Sequence, residues 1–237
     1  MRPHFILSSK LMKKLFIISL GGSRINPGQV DANFLKRFRA LILNQIKKGN
    51  RFILTTGGGA LCRHYQGALK NIGRPSNIDL DWLGIYATRF NAQLVRLSFG
   101  KLAYRLVIED PNKKVNFKEK VLVAGGWMPG RSTDDDAVRL AKAYGSNTVI
   151  NLFDQDYVYD KDPRKYPNAK KIENTSWDDF RKIVGSRWDP GKNAPFDPTA
   201  AKLAQKLKLK VIIANGKNLK NLTNILEDKK FKGTTVV

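Results

Sequence analysis

The chain has 237 residues, 42% of them hydrophobic and 10% aromatic, with 43 Lys plus Arg against 20 Asp plus Glu for a formal net charge of +23. The apolar content excludes an intrinsically disordered chain, and the length suffices for one substantial core. A single cysteine, Cys62, excludes an internal disulfide, and the expected location is the cytoplasm.

Lys14 to Leu20 reads as a buried strand ended by Gly21-Gly22, far shorter than the roughly 20 apolar residues of a membrane span and followed by no small-residue cleavage site. Met12 offers an alternative start, which makes residues 1–11 an extension ahead of a single domain over 12–237. Asp31 to Lys48 reads as a helix, with Phe34, Leu35, Phe38, Leu41, Ile42 and Ile46 at helical spacing and Gly49 just past its end. A second strand, Arg51 to Thr56, runs into Gly57-Gly58-Gly59 and another helix. Asp79 to Leu97 is a long helix carrying Trp82, Ile85, Tyr86, Phe90, Leu94 and Val95, and Tyr104 to Ile108 resembles a strand.

The next strand, Lys120 to Ala124, meets Gly125-Gly126, and Ser132 and Thr133 can cap a helix whose first turn holds Asp135 and Asp136. Asn147 to Leu152 is strand-like. Asp154 to Lys171 is polar and turn-rich, and a second irregular stretch runs from Trp188 to Pro198. Lys210 to Ala214 reads as a strand, Leu219, Leu222, Ile225 and Leu226 as a helix, and Thr234 to Val237 as an added edge strand. The alternation predicts an α/β fold, a mostly parallel sheet with helices on both faces. The excess charge predicts attraction to polyanions. No RNA-recognition motif, zinc finger or interleaved lysine–aromatic stripe accompanies it, so the lysines between Lys202 and Lys232 read as a solvated face and nucleic acid is not a required partner.

Three strands end in glycine clusters. In parallel α/β sheets ligands gather at the carboxyl ends of strands, and glycine lets backbone N–H groups approach phosphate closely. For any one cluster a tight strand-to-helix turn is an equal explanation; three together in a basic protein favour phosphate. There is neither a G-x-x-x-x-G-K-[ST] loop nor a G-x-G-x-x-G with a spaced acid, and His4 and His64 are the only histidines, so metal sites built on histidine and a Ser-His-Asp triad have little support. Phosphoryl transfer to a phosphate acceptor fits this inventory. Such an acceptor has a second pKa of about 6 and needs no general base at neutral pH.

The order Ser19-Leu20-Gly21-Gly22-Ser23, Thr56-Gly57-Gly58-Gly59-Ala60-Leu61-Cys62-Arg63, Gly125-Gly126-Trp127-Met128-Pro129-Gly130-Arg131-Ser132-Thr133-Asp134 and Asp156-Tyr157-Val158-Tyr159-Asp160-Lys161-Asp162 resembles the amino acid kinase superfamily. Asp81 to Ala92 is similar to the archaeal-type uridylate kinases within it. The resemblance spans residues 13–237. It implies a three-layer αβα sandwich, transfer of the ATP γ-phosphoryl group to UMP with Mg²⁺, and a homo-oligomer, usually a hexamer, with the acceptor on the N-terminal half and ATP on the C-terminal half. It places UMP against Gly58, Asp81, Trp127, Met128, Pro129, Gly130, Arg131, Ser132 and Thr133. ATP falls against Gly21, Gly22, Ser23, Gly59, Arg63, Phe153, Asp154, Tyr159 and Asp162, and the catalytic candidates are Arg63, Lys192 and Asp197, with no residue assigned to metal.

Plainer roles compete: Arg63 as a solvated helix residue, Asp81 as a helix N-terminal acid, Tyr159 as a turn filler, and Asp197-Pro198 as an N-cap with a first-turn proline. Cys62 and His64 are assigned to packing or surface. The pattern also departs from the family. Many members carry a phosphate-binding lysine where Ser19 stands, leaving Arg24, Arg131 and above all Lys192 as substitute cations. Asp154 replaces the usual Asn, adding negative charge near the donor, and Tyr157 replaces the usual Gly. The alternatives are a superfamily kinase for another small acid or phosphate, or a catalytically weak nucleotide- or nucleic-acid-binding protein.

Overall fold

The structure, a computed structural model, describes residues 14–185 and 194–237. In chain order it runs β1 (Leu15–Leu20), α1 (Gly22–Ile25), α2 (Ala32–Lys47), β2 (Arg51–Thr56), α3 (Gly59–Ile72), α4 (Asn77–Phe99), β3 (Val121–Ala124), α5 (Thr133–Tyr144) and β4 (Thr148–Phe153). It continues with β5 (Val158–Tyr159), β6 (Lys171–Ile172), β7 (Asn174–Thr175), α6 (Trp177–Val184), α7 (Pro198–Lys206), β8 (Lys210–Asn215), α8 (Leu219–Leu226) and β9 (Thr234–Val236). The seven-stranded sheet has the order β3-β2-β1-β4-β8-β9-β7, and β5 with β6 forms a separate two-stranded ribbon. From β3 through β8 every neighbouring pair is parallel. The architecture is the αβα sandwich expected from the alternating elements.

Strand periodicity sorts the core into two layers. Ile17, Ile53, Leu122, Val149, Val211 and Ile213 join the cluster with α5, α6 and α7, whereas Ile18, Leu20, Phe52, Leu54, Val123, Ile150, Leu152 and Ile212 join that with α2, α4 and α8. Successive side chains of a strand point to opposite faces, so a strand buried on both sides reads as one apolar run. Helix starts are set locally by caps. The side chain of Asp31 accepts from Phe34 N–H, and Ser76 and Asp79 form a reciprocal box at the start of α4. At α5 only half of such a box forms: Ser132 accepts from Asp135 N–H, while the Asp135 carboxylate turns to Arg139 at 2.6 Å.

Four expectations need correction or extension. Tyr104 to Ile108 is not a strand: it meets β3 only through two isolated bridges, Ala103 with Val121 and Ile108 with Ala124. Five residues of advance on one chain face three on the other, so the surplus bends outward at Arg105-Leu106 and the ladder cannot continue. Thr234–Val236 is not an edge, because it pairs antiparallel with β8 on one side and parallel with the two-residue β7 on the other. The turn-rich stretch from Asp154 contains β5, held by pairing with β6. Helix α6 adds to the elements expected from the sequence and is fixed by burial of Trp177, Phe180 and Val184 on one face. The extension over 1–11, Lys192 and most of the irregular stretch from Trp188 lie outside the described residues.

Candidate active site

The carboxyl ends of β1, β2, β3 and β4 open onto one edge, where α1, α3 and α5 begin. The first two glycine loops interlock there. A Cβ on Gly22 would lie 2.1 Å from the backbone nitrogen of Gly59, and one on Gly59, at φ +64°, would lie 2.4 Å from the carbonyl of Gly22. Only glycine permits both this approach and this backbone angle. Helix α4 braces the assembly from outside. Asn91 Nδ2 donates to the carbonyls of Gly57 and Gly58 at 2.8 and 3.1 Å, and Thr88 Oγ1 accepts from Gly126 N–H at 2.7 Å.

Beside these loops lies a pocket of about 230 Å³ that brings together Gly58, Gly59, Arg63, Asp81, Arg131, Ser132 and Thr133 from α3, α4 and the α5 start. Five of the proposed acceptor contacts, distant in sequence, thus share one cavity. Trp127 to Gly130 connect the lining residues Gly126 and Arg131 but do not themselves line it. Asp81 Oδ2 accepts from Gly130 N–H at 2.8 Å, so this carboxylate, in the second turn of α4, fastens the loop. Arg89 fastens the other end, donating from Nε to Gly126 O and from Nη2 to Trp127 O, both at 3.0 Å, while Nη1 pairs with Glu109 at 2.8 Å. The Arg139 guanidinium lies 5.0 Å over the Trp127 ring. Met128 is exposed, as is Arg63, whose side chain is directed by no ion pair among the described residues. Burial pushes the Cys62 thiol up, consistent with a packing role.

At the centre stands Asp134. Register aligns Ser19 with Thr55 of β2 and with Asn151 of β4, and these three polar residues occupy the strand positions that face α5 and α7. Ser19 Oγ donates to Asp134 Oδ1 at 2.9 Å, and Asp197 N–H donates to Asp134 Oδ2 at 3.2 Å. Burial, then the nearby Asp197 carboxylate, raise the Asp134 pKa to about 6; the two hydrogen bonds oppose this and are outweighed. Asp197 caps α7, accepting from Ala200 N–H at 2.6 Å, and is raised chiefly by burial as well. Asn151 Nδ2 donates to Pro195 O at 2.8 Å, tying the approach to α7 to the sheet.

On the far side of β1, a second pocket of about 200 Å³ includes Phe153, Tyr159, Asp162 and Arg164. Asp162 is paired with Arg164 at 3.0 Å, which holds its carboxyl below the ordinary value. Asp154 lies close enough to the buried Arg24 to act on it electrostatically; burial lowers the Arg24 pKa, and Asp154 partly offsets this. Its charge therefore faces an internal cation. Tyr157 is not among the residues at positive φ, so its replacement of glycine imposes no left-handed strain. Gly21, Gly22 and Ser23 form the turn into α1, between the two pockets.

Sequence reading did not single out Asp134, Arg89, Thr88 or Asn91. Ser19 did carry a usable signal: counting in twos from Ile17 places it on the same face as Asn151 and Thr55, a polar row in otherwise apolar strands. Nothing in the spacing of Arg89 revealed that its partners are carbonyls of a loop 37 and 38 residues away.

Known proteins resemble this chain over most of its length. The amino acid kinase family model matches residues 14–215. A uridylate kinase of Thermoplasma volcanium is 36% identical over 228 residues, covering 95% of this chain and 98% of its own length. A uridylate kinase of Thermococcus onnurineus is 33% identical, covering 93% and 98%. The crystal structure of uridylate kinase from Archaeoglobus fulgidus superposes with a TM-score of 0.77 at 29% identity, covering 95% of this chain and all of that one. On the family match, the relatives and the shared fold, this chain belongs to the amino acid kinase family.

Proposed function

We propose that the protein transfers the γ-phosphoryl group of ATP to UMP, giving ADP and UDP by direct in-line displacement. The observation that carries this reading is the placement of two pockets on either side of one polar centre. The acceptor pocket lies toward β2, the Phe153–Arg164 pocket lies toward β4, and β1 with Ser19 and Asp134 stands between them. Two nucleotides entering from opposite sides would meet phosphate to phosphate there. The names of the archaeal relatives support UMP as acceptor.

In this reading Gly58, Asp81, the Trp127–Gly130 loop, Arg131, Ser132 and Thr133 hold UMP. Gly21, Gly22, Ser23, Gly59, Phe153, Asp154, Tyr159 and Asp162 hold ATP, with Arg63 reaching the phosphates between them. The N-termini of α3 and α5 present N–H groups to developing charge. Mg²⁺ supplies charge neutralisation when it arrives on the triphosphate. Asp134 and Asp197 fit it as hard oxygen donors, since two desolvated carboxyls that repel one another are relieved by a dication. Lys192 remains the first candidate for the cation that Ser19 does not supply.

We also propose a homo-oligomer, a hexamer by family resemblance, acting in the cytoplasm. Helix α4 exposes Ile78, Trp82, Tyr86, Phe90, Leu94 and Leu97 in one stripe, with Phe90 72% accessible, an apolar row suited to contact with another chain. No helix among the described residues is long and apolar enough to cross a membrane. Purified protein should be incubated with Mg²⁺-ATP and UMP, CMP, AMP or GMP. UDP formed far faster than the other diphosphates supports the proposal; equal rates or no turnover by folded protein refute it. Light scattering of Phe90→Glu should show smaller assemblies than wild type.

A further inference from the structure

Helices α2 and α8 lie side by side on the face of the sheet opposite α5 and α7, and between them runs an open groove of about 800 Å³ that belongs to neither nucleotide pocket. Its rim carries Arg37, Lys47 and Lys48 from α2, Lys217 and Lys220 at the start of α8, and one acid, Glu227. That acid is already committed: Lys48 and Lys229 both pair with it, and Gln45 Nε2 donates to it at 3.0 Å. Arg37, Lys47, Lys217 and Lys220 pair with no carboxylate among the described residues. These four cations thus line one concave surface without a carboxylate partner of their own.

The cations are strung out, not convergent. Arg37 and Lys47 are ten positions apart on α2, about 15 Å at 1.5 Å per residue, and Lys217 and Lys220 flank the positive end of α8. A ligand that uses all four must carry several negative charges in a line. A furrow between two adjacent helices, lined by cations along its length, suits a single phosphate backbone. No aromatic side chain lines the groove, so bases would find no stacking platform and sequence would not be read.

We propose that the α2–α8 groove binds the phosphodiester backbone of single-stranded nucleic acid, without sequence preference and separately from the nucleotide pockets. Four neutralised phosphates give a salt dependence of about −0.7 × 4, or −2.8, in log K against log salt. Affinity should therefore fall about 50-fold between 50 and 200 mM salt.

The test is fluorescence anisotropy with labelled 15-nucleotide oligo(A) and oligo(dA), on the full chain. Arg37→Glu/Lys47→Glu/Lys220→Glu is compared with a control of equal charge change, Lys101→Glu/Lys118→Glu/Lys142→Glu, on exposed lysines elsewhere. Phosphoryl transfer by each variant confirms that it folds. The proposal expects both oligonucleotides to bind wild type and control alike, with the groove variant at least tenfold weaker and its salt slope reduced to about −0.7. Equal loss in both variants would show that bulk charge alone attracts the oligonucleotide, and release by saturating ATP and UMP would place it in the nucleotide pockets. Either result, or no binding by wild type at 50 mM salt, overturns the proposal.

Discussion

Ser19 and Asp134, 115 positions apart, are joined by a 2.9 Å hydrogen bond in which the serine hydroxyl donates to a desolvated carboxyl. The serine stands where many members of the family carry a lysine. Burial and the neighbouring Asp197 carboxylate raise the Asp134 pKa, and hydroxyl donation from Ser19, weaker than donation from an ammonium, lowers it only in part.

Removing that donor should push Asp134 further toward its protonated form. Ser19→Ala is expected to lose about 1–2 kcal/mol of stability near neutral pH, the worth of one buried hydrogen bond to a charged or partly charged group. Turnover should fall by about tenfold, the rate equivalent of about 1.4 kcal/mol. Denaturant titration and steady-state kinetics check the two parts separately.

The sign of the pH effect is set by the upward shift. A folded-state pKa of about 6 against an ordinary aspartate value near 4 means that the native protein holds this proton more tightly than the unfolded chain. The contribution is complete below about pH 4 and is lost as pH rises through about 6, on the order of 1–3 kcal/mol. In metal-free protein, Asp134→Asn should therefore flatten the decline in stability across that window. An unchanged slope in urea melts taken from pH 4 to pH 7 would contradict it.

Arg89 joins the two carbonyls at the head of the proposed acceptor loop, so Arg89→Ala should release Gly126-Trp127 while leaving the proposed donor pocket intact. The expected result is a UMP KM raised about tenfold or more with little change in ATP KM, because a charged hydrogen bond is worth about 1.5–3 kcal/mol. Arg89→Lys should not restore it, since an ammonium cannot reproduce the planar fork that reaches two carbonyls and Glu109 together.

Two glycines of α3 should respond oppositely to alanine. At Gly59, the positive φ and a Cβ 2.4 Å from the Gly22 carbonyl predict a loss of more than about 3 kcal/mol, or insoluble protein. At Gly67, within the same helix, a Cβ meets nothing within 4 Å, and Gly67→Ala should gain about 0.5–1 kcal/mol. Thermal melts of the pair distinguish the packing requirement from helix propensity.

Sequence by itself determined most of the alternating order of strands and helices, though not α6 or the short strands β5 to β7, together with the caps at Ser132 and Asp197 and the three glycine turns, because these depend on residues within a few positions of each other. Local signals failed where pairing was remote. Tyr104–Ile108 has strand composition, yet its register against β3 forces a bulge; β9 becomes internal only because Asn174–Thr175 returns beside it. The site divides the same way. Its motifs and their glycines were legible, whereas the meeting of Ser19, Asp134 and Asp197, the use of Asp81 and Arg89 as loop fasteners, and the unneutralised groove between α2 and α8 arise from side chains that only the folded sheet brings within reach. A hydrogen bond or a pKa shift acts over a few ångströms of space, and for these residues space is set by the tertiary structure rather than by separation along the chain.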